Sequence, residues 1–343
     1  MKLIKQSFEF INQTDFSLVG IKKHIERCAR VSYKSENKIT DTSYEKFVNM
    51  LESRGHDRPL EFGTVYLDIP TKNIERGAEY IYAVGKYSLN PWSIKEEVKD
   101  HAYISTNYRV IKDNHWESDL QYLCEPTEHH HARYTAHMVL DRGVMDEFRT
   151  HVGLSHLAES TRYCNYSKDK FGNELTFIKP CWLNIPEGKY NHCIMVSKKT
   201  PDIRVECVGS DEIGKYYNIG EDEGLFLNSL VQSELAYLHL INNRKWTPQQ
   251  ARSILPLGIK SELISCGFED AWENFFRRRD APDAHPMAQE IAEPMHEEFD
   301  YLKMGKKKGE MTYVEALGIV QDYEKGKNIP DNLYSDAMEI IWQ

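Results

Sequence analysis

The chain has 343 residues, enough for one large domain or two of ordinary size. Its hydrophobic content of 41% and charged content of 28% are typical of a globular protein. The net charge of -10 excludes a general nucleic-acid coat, which needs an excess of lysine and arginine. It does not exclude binding of a small anion, because a few clustered arginines are enough for that.

The first residues, "MKLIKQSFEFINQ", alternate between polar and apolar, which predicts a first β-strand, and they lack the long apolar core of a signal peptide. No run approaches the ~20 apolar residues of a membrane helix, so we expect no membrane partner. The seven cysteines are scattered without a C-x-x-C pair. We therefore expect neither a disulfide framework nor a cysteine zinc site, and a cytoplasmic location is the simplest interpretation.

Apolar spacing then predicts the main elements in chain order. Alternation predicts a strand in "EFGTVYLDIP". The segment "RYTAHMVLDRGVMDEFRTH" reads as a strand that leads into the stretch from residue 148. Helical spacing predicts helices in "SLVGIKKHIERCARVSY", "SYEKFVNMLESRGHDRP", "GLFLNSLVQSELAYLHLINNR", "EDAWENFFRRRD" and "PMAQEIAEPMHEEFDYL". A further helix begins at "TPQQARSIL", where Thr247 is the expected N-cap and Gln250 completes a capping box.

The remaining segments are less regular. Residues 71 to about 130 read as aromatic-rich loop and short helix, and "TFIKPCWLNIPEG" begins an irregular stretch that continues to about residue 220. The tail from Lys303 reads as short helices and charge runs. The pattern predicts an α+β fold in a single domain, residues 1–343, with long insertions at about 72–130 and 181–220.

Several common functional motifs are missing from the sequence. There is no G-x-G-x-x-G after a strand, no phosphate-binding P-loop motif and no G-x-S-x-G. "EHHHAR", residues 128–133, suggests a metal site, but three adjacent histidines cannot all face one ion from a regular element. We expect a polar loop there and no bound metal.

The stretch "FRTHVGLSHLAESTRYCNYS", residues 148–167, is rich in arginine, histidine and hydroxyl groups. If it were helical, one stripe would hold His151, Ser155, Glu159 and Arg162, and a neighbouring stripe would hold Arg149, His156 and Ser160. Such a stripe is either a solvated face or an anion site, because serine and arginine are the donors that a phosphate needs. Further arginines occur at Arg252 and in the run Arg277, Arg278 and Arg279, of which only one or two can face a common site.

Five segments, in this order, also resemble the flavin-dependent thymidylate synthases, the class that does not use a catalytic cysteine. They are "ARVSY" (29–33), "GHDRPLEF" (55–62), "SHLAESTRY" (155–163), "ARSILPL" (251–257) and "NFFRRR…AHPMAQEIA" (274–292). The resemblance implies that family's fold, an antiparallel sheet packed with helices, and a homotetramer with FAD at the subunit interfaces. It also implies dUMP as substrate, methylenetetrahydrofolate as carbon donor and NADPH as reductant.

The resemblance also implies roles for individual residues. The positions that match dUMP-binding residues are Ser160, Arg162, Arg252 and Arg279, and Arg279 is the candidate for stabilising negative charge that develops on the pyrimidine ring. The positions that match flavin-contacting residues are Ser32, His56, Asn274 and His285, with Glu61 as the acidic residue after the Gly-His segment and His151 as the histidine that survives from the family signature.

The match breaks at the family signature, which is Arg-His-Arg, seven residues and then serine. Counting back from Ser160, the two signature arginines are replaced by Thr150 and Val152. Each lost arginine removes a charge-assisted contact of roughly 1.5–3 kcal/mol. Arg149 lies one residue early and is the candidate for replacing one contact, whereas Glu147 would repel an anion if it faced the site.

Three functional hypotheses follow. The chain is a working thymidylate synthase with a rearranged signature. Alternatively, it is a divergent flavoenzyme of the same scaffold that modifies another pyrimidine nucleotide or transfers a different one-carbon unit. The third hypothesis is a catalytically silent homologue that binds nucleotide or flavin. Retention of Ser160, Arg162, Arg252 and Arg279 favours the first two.

Overall fold

The computed structural model describes residues 1–75, 77–190, 193–196, 204–207, 216–218, 220–306 and 309–342. The chain divides into two compact units, Met1–Trp272 and Glu273–Gln343. Helices and mainly antiparallel sheets make up the molecule, so the predicted α+β class is confirmed. Within the described residues, no helix combines the length and the apolar character needed to cross a bilayer.

The strands of the described residues form four small sheets. Their bounds are β1 Lys2–Ile4, β2 Ser7–Phe10, β3 Thr64–Pro70, β4 Ile94–Val98, β5 His101–Asn107, β6 Arg133–Asp141, β7 Ser155–Ala158, β8 Thr176–Ile178, β9 Gly188–Lys189, β10 Cys193–Val196, β11 Arg204–Cys207, β12 Tyr216–Asn218 and β13 Lys260–Phe268. The sheet orders are β8-β1-β9, β10-β11-β12, β2-β6-β13-β7 and β3-β5-β4. Only the β1–β8 pair is parallel among the described pairings.

The helices connect and cover these sheets within the units. Their bounds are α1 Leu18–Tyr33, α2 Ser43–Ser53, α3 Ala78–Tyr80, α4 Lys86–Ser88, α5 Tyr108–Asp113, α6 Arg142–Arg149, α7 Glu221–Asn242, α8 Pro248–Ala251, α9 Glu269–Arg279, α10 Pro286–Lys303, α11 Tyr313–Glu324 and α12 Asp331–Trp342. One π-helical turn, Ile81–Gly85, joins α3 to α4.

Local sequence explains the ends of the first helix. The Ser17 side chain accepts a hydrogen bond from the Gly20 amide at 3.1 Å, which satisfies one free donor of the first turn. At the other end, Lys34 adopts a left-handed conformation with φ 49°, and its amide bonds back to helix carbonyls. The helix therefore ends just after Ser32 and Tyr33, and both residues come to lie at the candidate site.

The central sheet of the first unit is β2-β6-β13-β7, in which β13 is buried along nearly its whole length. Its registers pair Leu263 with Met138 of β6 and with Ala158 of β7. One hydrophobic cluster, which includes Cys28, Phe62, Leu157 and Ile264, lies at this sheet. Because β7 is bonded directly to β13, the loop that follows β7 is fixed to the buried centre of the unit.

Several predicted elements are confirmed. The helices over α1, α2, α7 and α10 form where the apolar spacing placed them, and the Thr247–Gln250 capping box is present. The first strand is present as two short strands, β1 and β2, which belong to different sheets.

Three local predictions were wrong. The segment "DHAYISTN" is strand β5 and not loop, because it pairs with β3 and β4 on its two sides. The segment predicted as irregular to residue 220 contains β9 and the antiparallel sheet β10-β11-β12 within its described residues. The segment "RYTAHMVLDRGVMDEFRTH" is a strand only as far as Asp141, because Asp141 caps helix α6, which ends at Arg149. The helical arrangement considered for the stretch from residue 148 does not form either, since Ser155–Ala158 is a strand paired with β13. Hydrogen bonding between strands, which local spacing does not show, decided the structure of β5, β9–β12 and β7.

Candidate functional site

A cavity of about 410 Å³ in the first unit brings together three of the segments that carry the family resemblance. We call it the Ser32 cavity. Ser32 and Tyr33 come from the end of α1, His56 and Arg58 come from the turn after α2, and Tyr163 comes from the loop after β7. Two of the predicted flavin-contacting residues, Ser32 and His56, thus line one cavity although 24 positions separate them in the chain.

Ser32 has an unusual hydrogen-bonding state. Its hydroxyl oxygen is buried and has no hydrogen-bond partner among the described residues. Its carbonyl oxygen accepts a hydrogen bond from the Ser160 amide at 3.2 Å. A buried polar atom without a partner costs about 1–3 kcal/mol, so the free hydroxyl on a cavity wall indicates a position that a ligand can satisfy. The backbone bond also fixes the predicted nucleotide loop against the end of α1.

The His56 segment begins with a glycine for a conformational reason. Gly55 has φ 63°, a left-handed conformation that follows the last turn of α2 and that residues with a Cβ rarely adopt. The His56 amide then donates to the Leu51 carbonyl at 2.9 Å. This turn leaves the His56 side chain exposed at the cavity.

Glu61 is held by a residue that the sequence did not point to. Its carboxylate accepts a hydrogen bond from Arg109 Nη1 at 2.5 Å, and Arg109 Nε donates to Asp113 at 2.9 Å. Arg109, in α5, lines the Ser32 cavity and also a smaller neighbouring cavity of about 220 Å³, and Glu61 lines the smaller one. Residues 72–130, which were predicted to be an insertion, therefore contribute a side chain to the site.

The loop of residues 160–163 contributes to two cavities. Tyr163 lies on the Ser32 cavity, with its ring centroid 6.1 Å from that of Tyr33, and the guanidinium of Arg162 lies 5.5 Å from the Tyr163 ring. Thr161 lies on a second cavity of about 490 Å³, where its hydroxyl oxygen accepts a 3.4 Å hydrogen bond from Arg252 Nη1. We call this second space the Arg252 cavity.

The Arg252 cavity contains a second arginine that sequence reasoning missed. Arg142, the first residue of α6, lines it together with Thr161 and Ser253. The Arg142 amide donates to the Leu257 carbonyl at 2.9 Å, which fixes the start of α6 against the segment that follows Arg252. Arg142 Nε also donates to Asp146 at 3.3 Å. Two guanidinium groups and two hydroxyls around one space are suited to a phosphate.

A family model agrees with the resemblance. The family model described as "Thymidylate synthase complementing protein" matches residues 70–302, about two thirds of the chain. The chain belongs to the flavin-dependent thymidylate synthase family. The matched stretch includes "SHLAESTRY", "ARSILPL" and "NFFRRR…AHPMAQEIA", whereas "ARVSY" and "GHDRPLEF" precede it.

Solved structures also show similarity. One is a UMP/dUMP methylase, PolB, from Streptomyces cacaoi bound with 5-Br UMP, with 14% identity over 88% of this chain and 92% of that chain and a TM-score of 0.36. The same methylase bound with 5-Br dUMP has 15% identity over 88% and 93% of the two chains and a TM-score of 0.35. No curated protein sequence matches the chain.

The altered family signature has a specific structural form. Arg149 is about half exposed and pairs with Asp146 at 3.1 Å, whereas Val152 is 85% exposed. His151, the retained signature residue, is buried. Its carbonyl is 3.2 Å from Nε2 of His156, which donates to it. Arg149 thus forms an ion pair with another residue of its own helix, α6.

His156 is a buried neutral histidine beside the signature. Its Nδ1 lies 2.8 Å from the Ser265 hydroxyl, and its pKa is lowered to about 4. Burial is the main cause, and the nearby charges of Arg58 and Arg149 lower the pKa further, whereas the hydrogen bond to the His151 backbone raises it. Arg58 therefore lies close enough to the signature segment for its charge to act there.

A buried ion cluster includes Glu159, which directly precedes the loop of residues 160–163. Lys260 Nζ contacts Glu159 at 2.8 Å and Glu262 at 2.5 Å, and Glu262 also contacts Lys34 and, at 2.9 Å, His137. Although burial alone would lower the pKa of Lys260, the two carboxylates raise it, and the same contacts hold the pKa of Glu262 well below its usual range. Glu159 directly precedes Ser160, so the cluster fixes the base of the loop.

The other predicted site residues belong to the second unit. Arg279 is the last residue of α9, and in that helix the Asn274 side-chain oxygen accepts hydrogen bonds from Arg277 and Arg278 at 2.5 and 3.4 Å. His285 is the N-cap of α10, and its side chain accepts a hydrogen bond from the Met287 amide at 3.2 Å. The roles assigned to Arg279, Asn274 and His285 remain predictions.

The histidine run of residues 129–131 lies in a loop before β6. His130 Nδ1 accepts a hydrogen bond from the Thr127 amide, and its Nε2 lies 3.1 Å from the Leu67 carbonyl. His129 contacts Glu96 at 3.0 Å. No group of three or more possible metal ligands occurs within the described part of the chain. The contacts of His129 and His130 therefore attach this loop to the β3-β5-β4 sheet.

Proposed function

We propose that the chain is a flavin-dependent thymidylate synthase that reductively methylates dUMP to dTMP. Methylenetetrahydrofolate is the carbon donor and NADPH the reductant in this proposal. One observation supports it most strongly: residues 160–163 contribute to both the Ser32 cavity and the Arg252 cavity. A single short loop thus touches the space with the predicted flavin contacts and the space with a predicted nucleotide arginine.

The residues of the Ser32 cavity fit a flavin. Tyr33 and Tyr163 present exposed aromatic rings to a planar ligand, and the buried Ser32 hydroxyl offers a hydrogen bond that nothing in the described chain uses. His56 lies at the same wall. A bound FAD would supply the redox chemistry of the methylation. The protein's part is to orient it and to exclude water from the reacting ring.

The Arg252 cavity is the proposed position of the dUMP phosphate. Arg252 has an exposed side chain with one long contact to Thr161, so its remaining N–H groups are available for a phosphate. Ser160 and Arg162 are proposed to bind the same nucleotide. Arg279 is proposed to stabilise negative charge on the pyrimidine ring during transfer.

A second candidate function rests on the altered signature. Thr150 and Val152 replace two arginines, and Arg149 is engaged by Asp146. This loss of positive charge favours a flavoenzyme of the same scaffold that acts on another pyrimidine nucleotide or transfers a different one-carbon unit. A catalytically silent homologue that binds flavin or nucleotide is the third hypothesis.

Tritium release separates these functions. The purified protein is incubated with FAD, NADPH, methylenetetrahydrofolate and 5-tritiated dUMP, and tritium in the water is counted. Thymidylate synthesis requires loss of the 5-hydrogen, so we expect time-dependent release. Turnover of another pyrimidine nucleotide without release from dUMP would select the second function. Bound flavin or nucleotide without any turnover would select the third.

The assembly and domain organisation are also proposals. We propose a homotetramer, which light scattering of the purified protein tests through its molar mass. We also propose that residues 1–343 form one domain with insertions at about 72–130 and 181–220. A single cooperative unfolding transition followed by two probes would support one domain, and two separate transitions would contradict it.

A further inference from the structure

Arg58 is a cation on the Ser32 cavity that has no partner among the described residues. It has neither a hydrogen bond nor an ion pair with any described residue, and its side chain is exposed at the cavity. The other arginine on this cavity, Arg109, is already shared between Glu61 and Asp113. Arg58 is therefore the cavity guanidinium whose N–H groups remain available to a ligand.

The surroundings of Arg58 indicate what kind of ligand group it meets. The buried Ser32 hydroxyl lines the same cavity, so two polar groups there have no hydrogen-bond partner among the described residues. Asp57 also lines the cavity, and without Arg58 its carboxylate would repel an anion. A planar, fork-shaped donor without a protein partner is suited to phosphate oxygens.

Arg58 is also near the signature segment, which is short of arginines. Its charge acts on the His156 ring, which lies four residues beyond Val152 and is hydrogen bonded to the His151 carbonyl. The sequence lacks arginine at both Thr150 and Val152. Arg58 thus places a positive charge in the same neighbourhood from a different part of the chain.

We propose that Arg58 binds a phosphate oxygen of the flavin nucleotide held in the Ser32 cavity and so supplies a charge that Thr150 and Val152 do not. The inference rests on the proposed function, in that it takes this cavity as the flavin site. It makes Arg58 a binding residue that distinguishes phosphorylated flavins from riboflavin. The expected contribution is about tenfold to a hundredfold in affinity, as for other charge-assisted hydrogen bonds.

The test compares three flavins that differ in their phosphates. Riboflavin, FMN and FAD are each titrated into wild-type protein and Arg58→Ala, with the quenching of flavin fluorescence as the readout. We expect Arg58→Ala to lower the affinity for FMN and FAD by about tenfold to a hundredfold and to leave the affinity for riboflavin unchanged. Arg58→Lys keeps the charge but not the fork, and it should recover part of the loss.

Arg244→Ala is the matched control. Arg244 is an exposed arginine that lines neither cavity, so its removal should change none of the three affinities. Because Arg58 is exposed and makes no hydrogen bond or ion pair with a described residue, Arg58→Ala should fold with an unchanged urea midpoint.

Each remaining outcome overturns something specific. Equal binding of FAD by wild type and Arg58→Ala would refute the role of Arg58 and leave the flavin cavity intact. An equal loss for riboflavin would show that Arg58 does not act through phosphate. If the wild type bound none of the three flavins, the assignment of this cavity as the flavin site would be contradicted, and so would the proposed role of Arg58.

Discussion

The Ser32 cavity and the buried ion cluster both involve the chain around residues 160–163, through Tyr163 and through Glu159, but their polar groups differ in whether they are paired. In the cluster, Lys260, Glu159 and Glu262 satisfy one another although all three are largely buried. In the cavity, the Ser32 hydroxyl and the Arg58 guanidinium have no partner among the described residues. The comparison shows that paired charges hold the base of the loop in place, and it supports the proposal that the unpaired groups bind the ligand.

The largest expected effect comes from breaking the cluster. Lys260→Met leaves Glu159 and Glu262 as buried carboxylates without their shared cation, so we expect a loss of about 3–5 kcal/mol in the free energy of unfolding. Urea denaturation measures it. Lys189→Met is the matched control: this half-exposed lysine pairs with Glu174 at 3.2 Å, and its loss should cost less than about 1 kcal/mol. Equal effects of the two changes would contradict the role given to the cluster.

His156 gives the next effect, through pH. Its folded pKa of about 4 lies below the ordinary value of 6.5, so the unfolded state binds more protons between these two values. Stability should be fully present above pH 6.5 and decrease as the pH falls towards 4, by roughly 3 kcal/mol from this residue. His156→Gln should show a smaller decrease over the same range in urea denaturation. An unchanged pH profile would show that His156 is not buried in neutral form.

A smaller effect is expected at the Arg252 cavity. Arg252→Ala removes a guanidinium from the proposed phosphate position. The affinity for dUMP, measured by calorimetric titration, should therefore fall by about tenfold to a hundredfold. Its single 3.4 Å contact with Thr161 means that stability should change by less than about 1 kcal/mol. Arg244→Ala again serves as the control. Unchanged dUMP affinity would show that the dUMP phosphate does not bind in this cavity.

The smallest effect on folding is expected at Ser32. Ser32→Ala removes a buried hydroxyl that has no partner, so the free energy of unfolding should stay within about 1 kcal/mol of wild type or rise slightly. Flavin affinity should nevertheless fall, because the ligand loses a hydrogen bond. A large loss of stability would show that the hydroxyl is part of the framework, like the cluster.

Local sequence was sufficient where local interactions decide the structure. The α1 helix follows from apolar spacing and its Ser17 cap, and the start of α8 follows from the Thr247–Gln250 capping box. The five resemblance segments also identified Ser32 and His56, which share a cavity. Their common position could be inferred only from the family pattern, since the two residues are distant in sequence.

Local sequence failed where partners from distant parts of the chain decide. The polar stretch around Ser155–Ala158 fits a helical stripe equally well, and it is a strand because β13 pairs with it. The strand β13, "KSELISCGF", is buried although it contains serine and glutamate, so its composition does not indicate its burial. That glutamate, Glu262, is buried only because Lys260, Lys34 and His137 neutralise it. Arg109 and Arg142 likewise reach the cavities through contacts that no spacing rule encodes.

The most direct test of the contrast between cavity and cluster is a FAD titration of wild-type protein and Ser32→Ala, with urea unfolding of the same two samples. The contrast predicts saturable FAD binding by the wild type, weaker binding by the variant and nearly equal stability of the two. Absence of FAD binding by the wild type, or equal affinity with a large loss of stability in the variant, would contradict it.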